Sequence, residues 1–479
     1  MFFKRKQNII FRDYQTFSYI TDNRNYSYIT SSRNNIGDRI LSQSGTRFYL
    51  ALKDHPQEIE DIANEIKKSF PHIDTETIVN DAKHFFCSLH ESGFIASGST
   101  EQECMDDDKK FSYNSLNQEN SETRQGDENE STTVFFERHF KGKYQLKSLH
   151  IEITSKCNER CIHCYIPHEY KIATMEADLF FKIIEQCKQM NVLHLTLSGG
   201  EPMMHKHFSH FLRKCREENF SINILSNLTL LSDDILIEMK KNPLLGVQTS
   251  LYSMNPTIHD EITKKKGSFE KTKKSILELI NNNIPLQISS PIMKQNRESY
   301  KDVINWAKEH NIQVGEDYSI IANYNHSTDN LACRLSLKEI EDIIKDKINN
   351  SEDYNEEQKT IKKEPDDFIC SVCSSSICIS ETGNIYPCAG WQGYSLGNIK
   401  TSKLDNVWSN SARVNYLRNL RLRDFPKCLN CTKIDFCTMC MVRNSNEDIF
   451  GDPLKINDFF CDIAEIKQQL TISKTKRIL

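Results

Sequence analysis

The segment SKCNERCIHCYIP, residues 155–167, places Cys157, Cys161 and Cys164 in a C-x3-C-x2-C spacing. A structural zinc ion is enclosed by four protein ligands, and three thiols on one loop fall one short of that. A cubane iron–sulfur cluster has four irons, each taking one external ligand. Three cysteines hold three of them. The fourth iron is left for a small molecule, ideally one whose amine and carboxylate chelate it together.

The other cysteines divide by spacing. Cys370, Cys373, Cys378 and Cys388 form a second group, and Cys428, Cys431, Cys437, Cys440 and Cys461 a third, out of seventeen in the chain. The opening MFFKRKQNIIFRDYQ has two basic clusters but no sustained apolar stretch and no small-residue cleavage site. No apolar run is long enough to span a bilayer, so a cytoplasmic location is expected. In that reducing compartment clustered thiols signify metal rather than disulfides. Zinc is the plainest alternative for the two C-terminal groups, and a zinc-binding adaptor is the competing non-enzymatic reading. A formal net charge of −5 gives no reason to expect nucleic acid.

Isolated thiols read as packing. Cys187 shares a helical face with Leu179, Phe180, Ile183, Ile184 and Met190, and Cys87 and Cys215 are read the same way. Cys104 and Cys333 carry no role visible at this level. His205, His207 and His210 do not share one helical face and read as surface or satisfied core histidines.

The elements that must position the first cysteine group alternate. LHIEIT, VLHLTLS, SINILS, GVQTSLY, IPLQISS and VGEDYSII are β-type runs separated by amphipathic stretches such as SFEKTKKSILELINN. Such alternation implies a parallel sheet, doubly wound or rolled into a partial barrel, with chemistry on the loops at the strands' C-terminal ends. The three cysteines follow the first run, SGGEP the second, Ser226 and Asn227 the third, and Ser250 ends the fourth. All converge on one face.

Residues 1–98 read as a separate small domain. FSYITDNRNYSYITS suggests a hairpin turning at Asp22 to Asn25, and two amphipathic helices follow, the second capped by Asp74 or Thr75. Residues 101–132 carry ten Asp/Glu against three Lys/Arg. That balance leaves too little apolar surface to bury, so 99–132 is expected to be a disordered acidic linker. The barrel is assigned to 133–334, a helix and charged linker to 335–366, and a cysteine-rich domain to 367–475.

The cysteine motif, with His163 before its last Cys and Tyr165 after it, resembles that of the radical S-adenosylmethionine (SAM) enzymes. SGGEP and the segment SLYSMNPTIHDEITKKKGSFEKT extend the resemblance. It implies a partial (β/α)6 barrel and a 4Fe-4S cluster on Cys157, Cys161 and Cys164 whose open iron binds SAM. It also implies that Gly199 and Gly200 permit close backbone approach, that Glu201 accepts from the cofactor's amino group, and that Ser226 and Asn227 face its ribose. Thr263 and Lys264 stand where many relatives have Arg, which leaves the cofactor's carboxylate to Ser250 or a lysine.

The C-terminal third, with C-x2-C-x5-C-x2-C in CLNCTKIDFCTMC and an ETGN turn between Cys378 and Cys388, resembles the SPASM domain. By that resemblance Cys428, Cys431, Cys437 and Cys461 hold one auxiliary cluster. Cys370, Cys373, Cys388 and Cys440 hold another, with Cys378 the alternative to Cys373. Residues 1–98 resemble winged-helix elements that bind leader peptides by strand addition. The whole is similar to sactipeptide maturases of the subtilosin type. Such an enzyme installs sulfur-to-α-carbon thioethers in a ribosomally made precursor peptide and takes electrons from a donor such as flavodoxin or ferredoxin. Ala389 stands where sulfatase maturases have an acid after the hairpin cysteine. Epimerisation, carbon–carbon crosslinking and sulfatase maturation are the enzymatic alternatives.

Overall fold

Aromatic and β-branched residues cluster at the N-terminus, as Phe2–Phe3 and Ile9–Phe11, and short strands form there. In the computed structural model, residues 1–23, 38–110, 138–141, 143–350 and 363–478 are described. The first strands are β1 (Phe2–Arg5), β2 (Ile9–Asp13), β3 (Ser18–Asp22), β4 (Arg39–Leu41), β5 (Gln57–Glu58) and β6 (Ile95–Gly98). They build two antiparallel three-stranded sheets, ordered β5-β1-β6 and β2-β3-β4. Three helices, Gln43–Ala51, Ile59–Lys67 and Thr75–Glu91, pack beneath them, with Phe3, Tyr49, Ile62, Phe86 and Phe94 in the shared core. Asp74 caps the third helix as expected, accepting from the Thr77 amide at 2.8 Å. The expected hairpin is only partly accessible: β3 is its first arm, but residues 24–37 lie outside the described set.

The acidic linker requires correction at its start. Glu101–Lys110 is a helix packed on β6 and β1. Cys104 is fully buried on it, Asp107 accepts from the Ser97 amide and pairs with His90, and Asp108 pairs with Lys4. Composition missed this because the acids meet cations of the N-terminal unit, not one another. The rest of the expected linker, 111–132, lies outside the described residues.

The barrel strands follow: β7 (Ser148–Thr154), β8 (His194–Gly199), β9 (Ser221–Leu225), β10 (Leu245–Ser250), β11 (Leu286–Pro291) and β12 (Gln313–Asp317). All six lie parallel, and each pairs with its neighbour in sequence. A doubly wound sheet reverses its strand order at a switch point. This sheet has no reversal, so its crossover helices follow one sense around a partial (β/α)6 barrel. Phe180 of helix Ala177–Gln189 stacks on Phe211 of helix Phe208–Glu217 at 3.9 Å between centroids, and Cys187 and Cys215 fill the core they share. His205 is a satisfied core histidine, its ring bonded to the Met175 carbonyl at 2.8 Å.

The C-terminal segment does not stand apart. The expected hairpin, β13 (Ser376–Ile379) and β14 (Asn384–Tyr386), turns at Gly383 with φ +88°. β13 then pairs in parallel with β7, and β15 (Gly397–Asn398) completes a nine-stranded sheet ordered β12-β11-β10-β9-β8-β7-β13-β14-β15. Helix Leu337–Asn350 packs against the last helix, Asp458–Ile478, over Tyr300 and Tyr318. No helix among the described residues is long and apolar enough to cross a membrane.

The N-terminal unit docks on the barrel through β2. The Arg12 guanidinium donates to the Val192 carbonyl at 2.7 Å and lies over the Phe220 ring, 4.8 Å from its centroid. Asn219 accepts from the Phe11 amide at 2.8 Å and donates to the Ile9 carbonyl at 3.0 Å. Val192, Asn219 and Phe220 immediately precede β8 and β9. The unit therefore sits at the N-terminal end of the barrel, opposite the loops that carry the cysteines.

Candidate active site

β7 ends in a bulge at Glu152/Thr154, and the cysteine loop begins there. The SGGEP loop lies directly on it. The Gly200 amide donates to the Thr154 carbonyl at 2.7 Å and the Glu201 amide to the Lys156 carbonyl at 2.8 Å. A Cβ on Gly199, whose φ is +141°, would stand 1.9 Å from the Thr154 carbonyl oxygen. One on Gly200 would stand 2.3 Å from those of Ser155 and Lys156. Both glycines are thus required by close approach to the backbone that leads into Cys157.

Glu201 is fully buried and joins three loops. Its Oε1 accepts from the Ser226 hydroxyl at 2.7 Å and the Met203 amide at 3.0 Å, and its Oε2 from the Asn227 amide at 2.8 Å. Burial pushes its carboxyl up to about 7 against those donors. Asn227 in turn donates to Asn158 in the cysteine loop at 3.0 Å.

The side chains expected to face a cofactor therefore brace one another. Ser226 spends its proton on Glu201, and Asn227 uses its carbonyl oxygen on Thr229. Of the four acceptor positions on the Glu201 carboxylate, three are filled and one, on Oε2, stays open. Ser250 ends β10 half-buried beside Tyr252, whose hydroxyl lies 3.4 Å from His163 Nε2. Asn330, beyond β12, holds the His163 carbonyl at 3.2 Å. The cysteine loop is tied to the loops after β8, β9, β10 and β12.

Cys161 lies within electrostatic reach of both Cys157 and Cys164. Burial pushes Cys157 up to about 11 and Cys161 well above its ordinary value, with Glu159, Cys164 and Cys157 adding to the latter shift. Left alone Cys157 and Cys161 are thiols, and a thiophilic metal must displace their protons to bind. No three His, Cys, Asp or Glu side chains among the described residues draw close enough to hold one metal ion. Ligands to separate irons of a cluster stand further apart than ligands to a single ion. Three half-buried soft donors, on a loop braced by glycines that admit no side chain, fit such a cluster.

The C-terminal cysteines converge as two sets. Cys428 feels Cys437, Cys461 and Cys431. Cys388 feels Cys440 and Cys370, and Cys373 lies beside Cys370 and Arg418. Cys440 precedes helix Met441–Glu447 as its N-cap. Cys378 is fully buried on β13, packed with Tyr386 and Ala389 and within electrostatic reach of Cys388. Cys333 is a packing thiol that donates to the Asn330 carbonyl at 3.1 Å.

A protein-family comparison agrees with this geometry. The radical SAM superfamily model matches residues 151–309, and the SPASM model, an iron–sulfur cluster-binding domain, matches 370–432. The chain carries a radical SAM core and a SPASM domain. Its cofactors are 4Fe-4S clusters and SAM. Among relatives, the tungsten-containing aldehyde ferredoxin oxidoreductase cofactor-modifying protein of Pyrococcus furiosus is 25% identical over 64% of this chain and 92% of its own. The subtilosin biosynthesis protein AlbA of Bacillus subtilis is 24% identical over 62% of this chain and 67% of its own. Among solved structures, Streptococcus suis SuiB bound to SAM superposes with a TM-score of 0.58 at 16% identity, covering 95% of this chain and 99% of that one.

One residue of the radical SAM core escaped the sequence reading. Glu152 on β7 is 2% exposed, and its Oε2 accepts from Gln392 of the SPASM domain while Oε1 is buried without a partner. Burial, then the charge of Glu381, pushes its carboxyl up to about 8. Tyr165, Cys378 and Cys388 are within electrostatic reach of it, so it lies where the barrel meets the SPASM domain. The signal was in LHIEIT: Leu149, Ile151 and Ile153 share the core-facing side, which puts His150 and Glu152 on the other.

Proposed function

We propose that the chain is a radical SAM/SPASM maturase that installs sulfur-to-α-carbon thioether crosslinks in a ribosomally made precursor peptide. The observation that carries this is the N-terminal unit, two small antiparallel sheets on three helices, anchored by Arg12 and Asn219 to the barrel's N-terminal end. The likeness to SuiB, whose structure is also known bound to its precursor peptide SuiA, runs through 95% of the chain and so takes in this unit. AlbA, named for subtilosin biosynthesis, supports the thioether over other outcomes, as does Ala389 in place of an acid.

In this reading Cys157, Cys161 and Cys164 hold the SAM-binding cluster. Cys428, Cys431, Cys437 and Cys461, and Cys370, Cys373, Cys388 and Cys440, hold the auxiliary ones. Bound cluster and SAM together supply one-electron, hydrogen-abstracting chemistry. The chain's own residues position it. Gly199 and Gly200 let the second loop lie on the first, and Glu201 locks the third loop to both. The open lone pair on Glu201 Oε2 and the Ser250 hydroxyl, which also meets the Tyr252 side chain, are polar positions that face the cofactor in this reading. The leader binds the N-terminal unit, and the following residues run along the barrel toward the cysteine loop. β8 spans six residues, so that path is about 20 Å, or about six extended residues.

The test is mass spectrometry of precursor incubated with reconstituted enzyme. Each thioether removes two hydrogens and renders one cysteine resistant to alkylation. A product of unchanged mass means epimerisation or no reaction, and a lighter product with alkylatable cysteines means a carbon–carbon bond; either outcome rejects the thioether.

A further inference from the structure

Where the barrel meets the SPASM hairpin, two acids take no part in the site as described. Glu152 projects from the face of β7 opposite Leu149, Ile151 and Ile153. Its Oε2 accepts from Gln392, and its Oε1 is buried with no hydrogen-bond partner. Glu381, in the turn between β13 and β14, lies within electrostatic reach of it and accepts from the Ser155 hydroxyl. Three phenols accompany the pair. Tyr324 and Tyr386 are within reach of both acids and Tyr165 of Glu152, and burial pushes all three up. The Tyr324 amide donates to the Tyr165 carbonyl at 3.1 Å, which ties the loop after β12 to the cysteine loop. Glu381, Tyr165 and Tyr324 are only half-buried, so the cluster reaches solvent through them.

Among the described residues no Lys, Arg or His acts on either carboxyl. His150, two residues back on the same face of β7, is spent on the Ser198 hydroxyl and held uncharged by burial. A buried carboxyl oxygen without a donor costs free energy, and such groups gather where a ligand completes them. Two carboxyls beside phenol rings suit a cation, because the ring faces add to the attraction of the carboxylates. Burial favours the neutral acid in the free protein, and an entering cation favours the carboxylate in its place. Tyr165 directly follows Cys164 and, like Glu152, lies within electrostatic reach of Cys388. The acid pair therefore lies between the core thiols and the nearer auxiliary set.

We infer that Glu152 and Glu381 receive a basic side chain, lysine or arginine, of the substrate peptide, and so select a precursor that carries one beside the modified residue. The entering ammonium or guanidinium donates to Glu152 Oε1, while Gln392 keeps Oε2. Held there, the basic residue fixes its neighbours between the core thiols and the nearer auxiliary set. Both acids act on the substrate and not on the cofactor, whose polar positions lie with Glu201 and Ser250 on the loops after β8 and β10. The inference rests on the peptide-maturase reading above. A failure of that reading appears separately, as precursor left at unchanged mass by the unaltered enzyme.

The experiment titrates reconstituted holoenzyme calorimetrically with three probes: the N-acetyl methylamides of lysine, arginine and norleucine, the last a neutral counterpart of lysine. At least one cationic probe is expected to bind roughly tenfold or more tighter than norleucine, the worth of a charged hydrogen bond. Glu152→Gln and Glu381→Gln, each with its iron content measured, are expected to lose most of that preference while binding the norleucine probe as before. Equal binding of all three probes by the unaltered enzyme overturns the inference, as does the absence of saturable binding by either cationic probe. So does a full preference that survives in Glu152→Gln. The comparison on the unaltered enzyme stands by itself, so a variant that fails to fold does not shelter the inference.

Discussion

Gly200→Ala isolates the contact between the two loops that build the core site. The added methyl would stand 2.3 Å from two backbone oxygens, and real Cβ contacts essentially never fall below 3.0 Å, so the loops must separate by at least 0.7 Å (3.0 − 2.3). Neither oxygen can swing aside, because both belong to the main chain. Separation stretches the Gly200–Thr154 and Glu201–Lys156 hydrogen bonds, worth about 1 kcal/mol each. Overpacking adds about 1–3 kcal/mol. The local cost is therefore about 3–5 kcal/mol, concentrated where Cys157 is positioned. Gly267→Ala is the control: its φ is +78° but nothing lies within 4 Å of the new methyl, so only left-handed strain of about 1–2 kcal/mol applies. Iron content and SAM cleavage are measured on both after anaerobic reconstitution. The Gly200 variant should lose cleavage and the core share of its iron while keeping auxiliary iron, and the Gly267 variant should keep all three. Full iron and cleavage in Gly200→Ala would refute the close-approach argument.

Replacing Cys157, Cys161 and Cys164 together by Ala should abolish SAM cleavage yet leave the auxiliary iron, read by elemental analysis; retained cleavage would remove these residues from the cofactor site. Arg12→Ala removes a charged hydrogen bond of about 1.5–3 kcal/mol and a stacking contact on Phe220. It should loosen the N-terminal unit to limited proteolysis and weaken precursor binding, with peptide-independent cleavage unaffected. His150, His194 and His259 are each held by burial at about 4, well below their unfolded value near 6.5. The folded state then binds fewer protons than the unfolded one, so stability is lost as pH falls from about 6.5 toward 4, by roughly 1 kcal/mol per histidine at mid-range. Thermal unfolding should show that slope, and His194→Gln should flatten it. Moving the modified cysteine closer than about six residues to the leader-bound segment should stop its modification, as judged by product mass.

The barrel strands and the cysteine groups were legible in the sequence because their signals are local. A run such as SINILS declares a strand by side-chain type, and C-x3-C-x2-C states its ligand count within eight residues. Asp74, Cys187 and the ETGN turn are local in the same sense, and each sits in the structure as read. The sequential order of β7 to β12, which selects a partial barrel over a doubly wound sheet, is a pairing property that no single run encodes. The same holds for β13. Its residues spell a hairpin, but its addition to the edge of β7 depends on that edge being unclaimed by another strand. Glu101–Lys110 was misjudged because composition counts charges without their partners, and Lys4 and His90 lie far from it in the chain. Glu201 shows the limit most plainly. Its type and motif marked it as chemically important, yet only the fold brought the Ser226 hydroxyl and the Asn227 amide, twenty-five and twenty-six residues on, to its buried carboxylate. Spacing along the chain determines which donors can exist on one loop. Which loops meet is set by how six strands pack, since a buried carboxylate is tolerable only where folding has carried its hydrogen-bond donors to it.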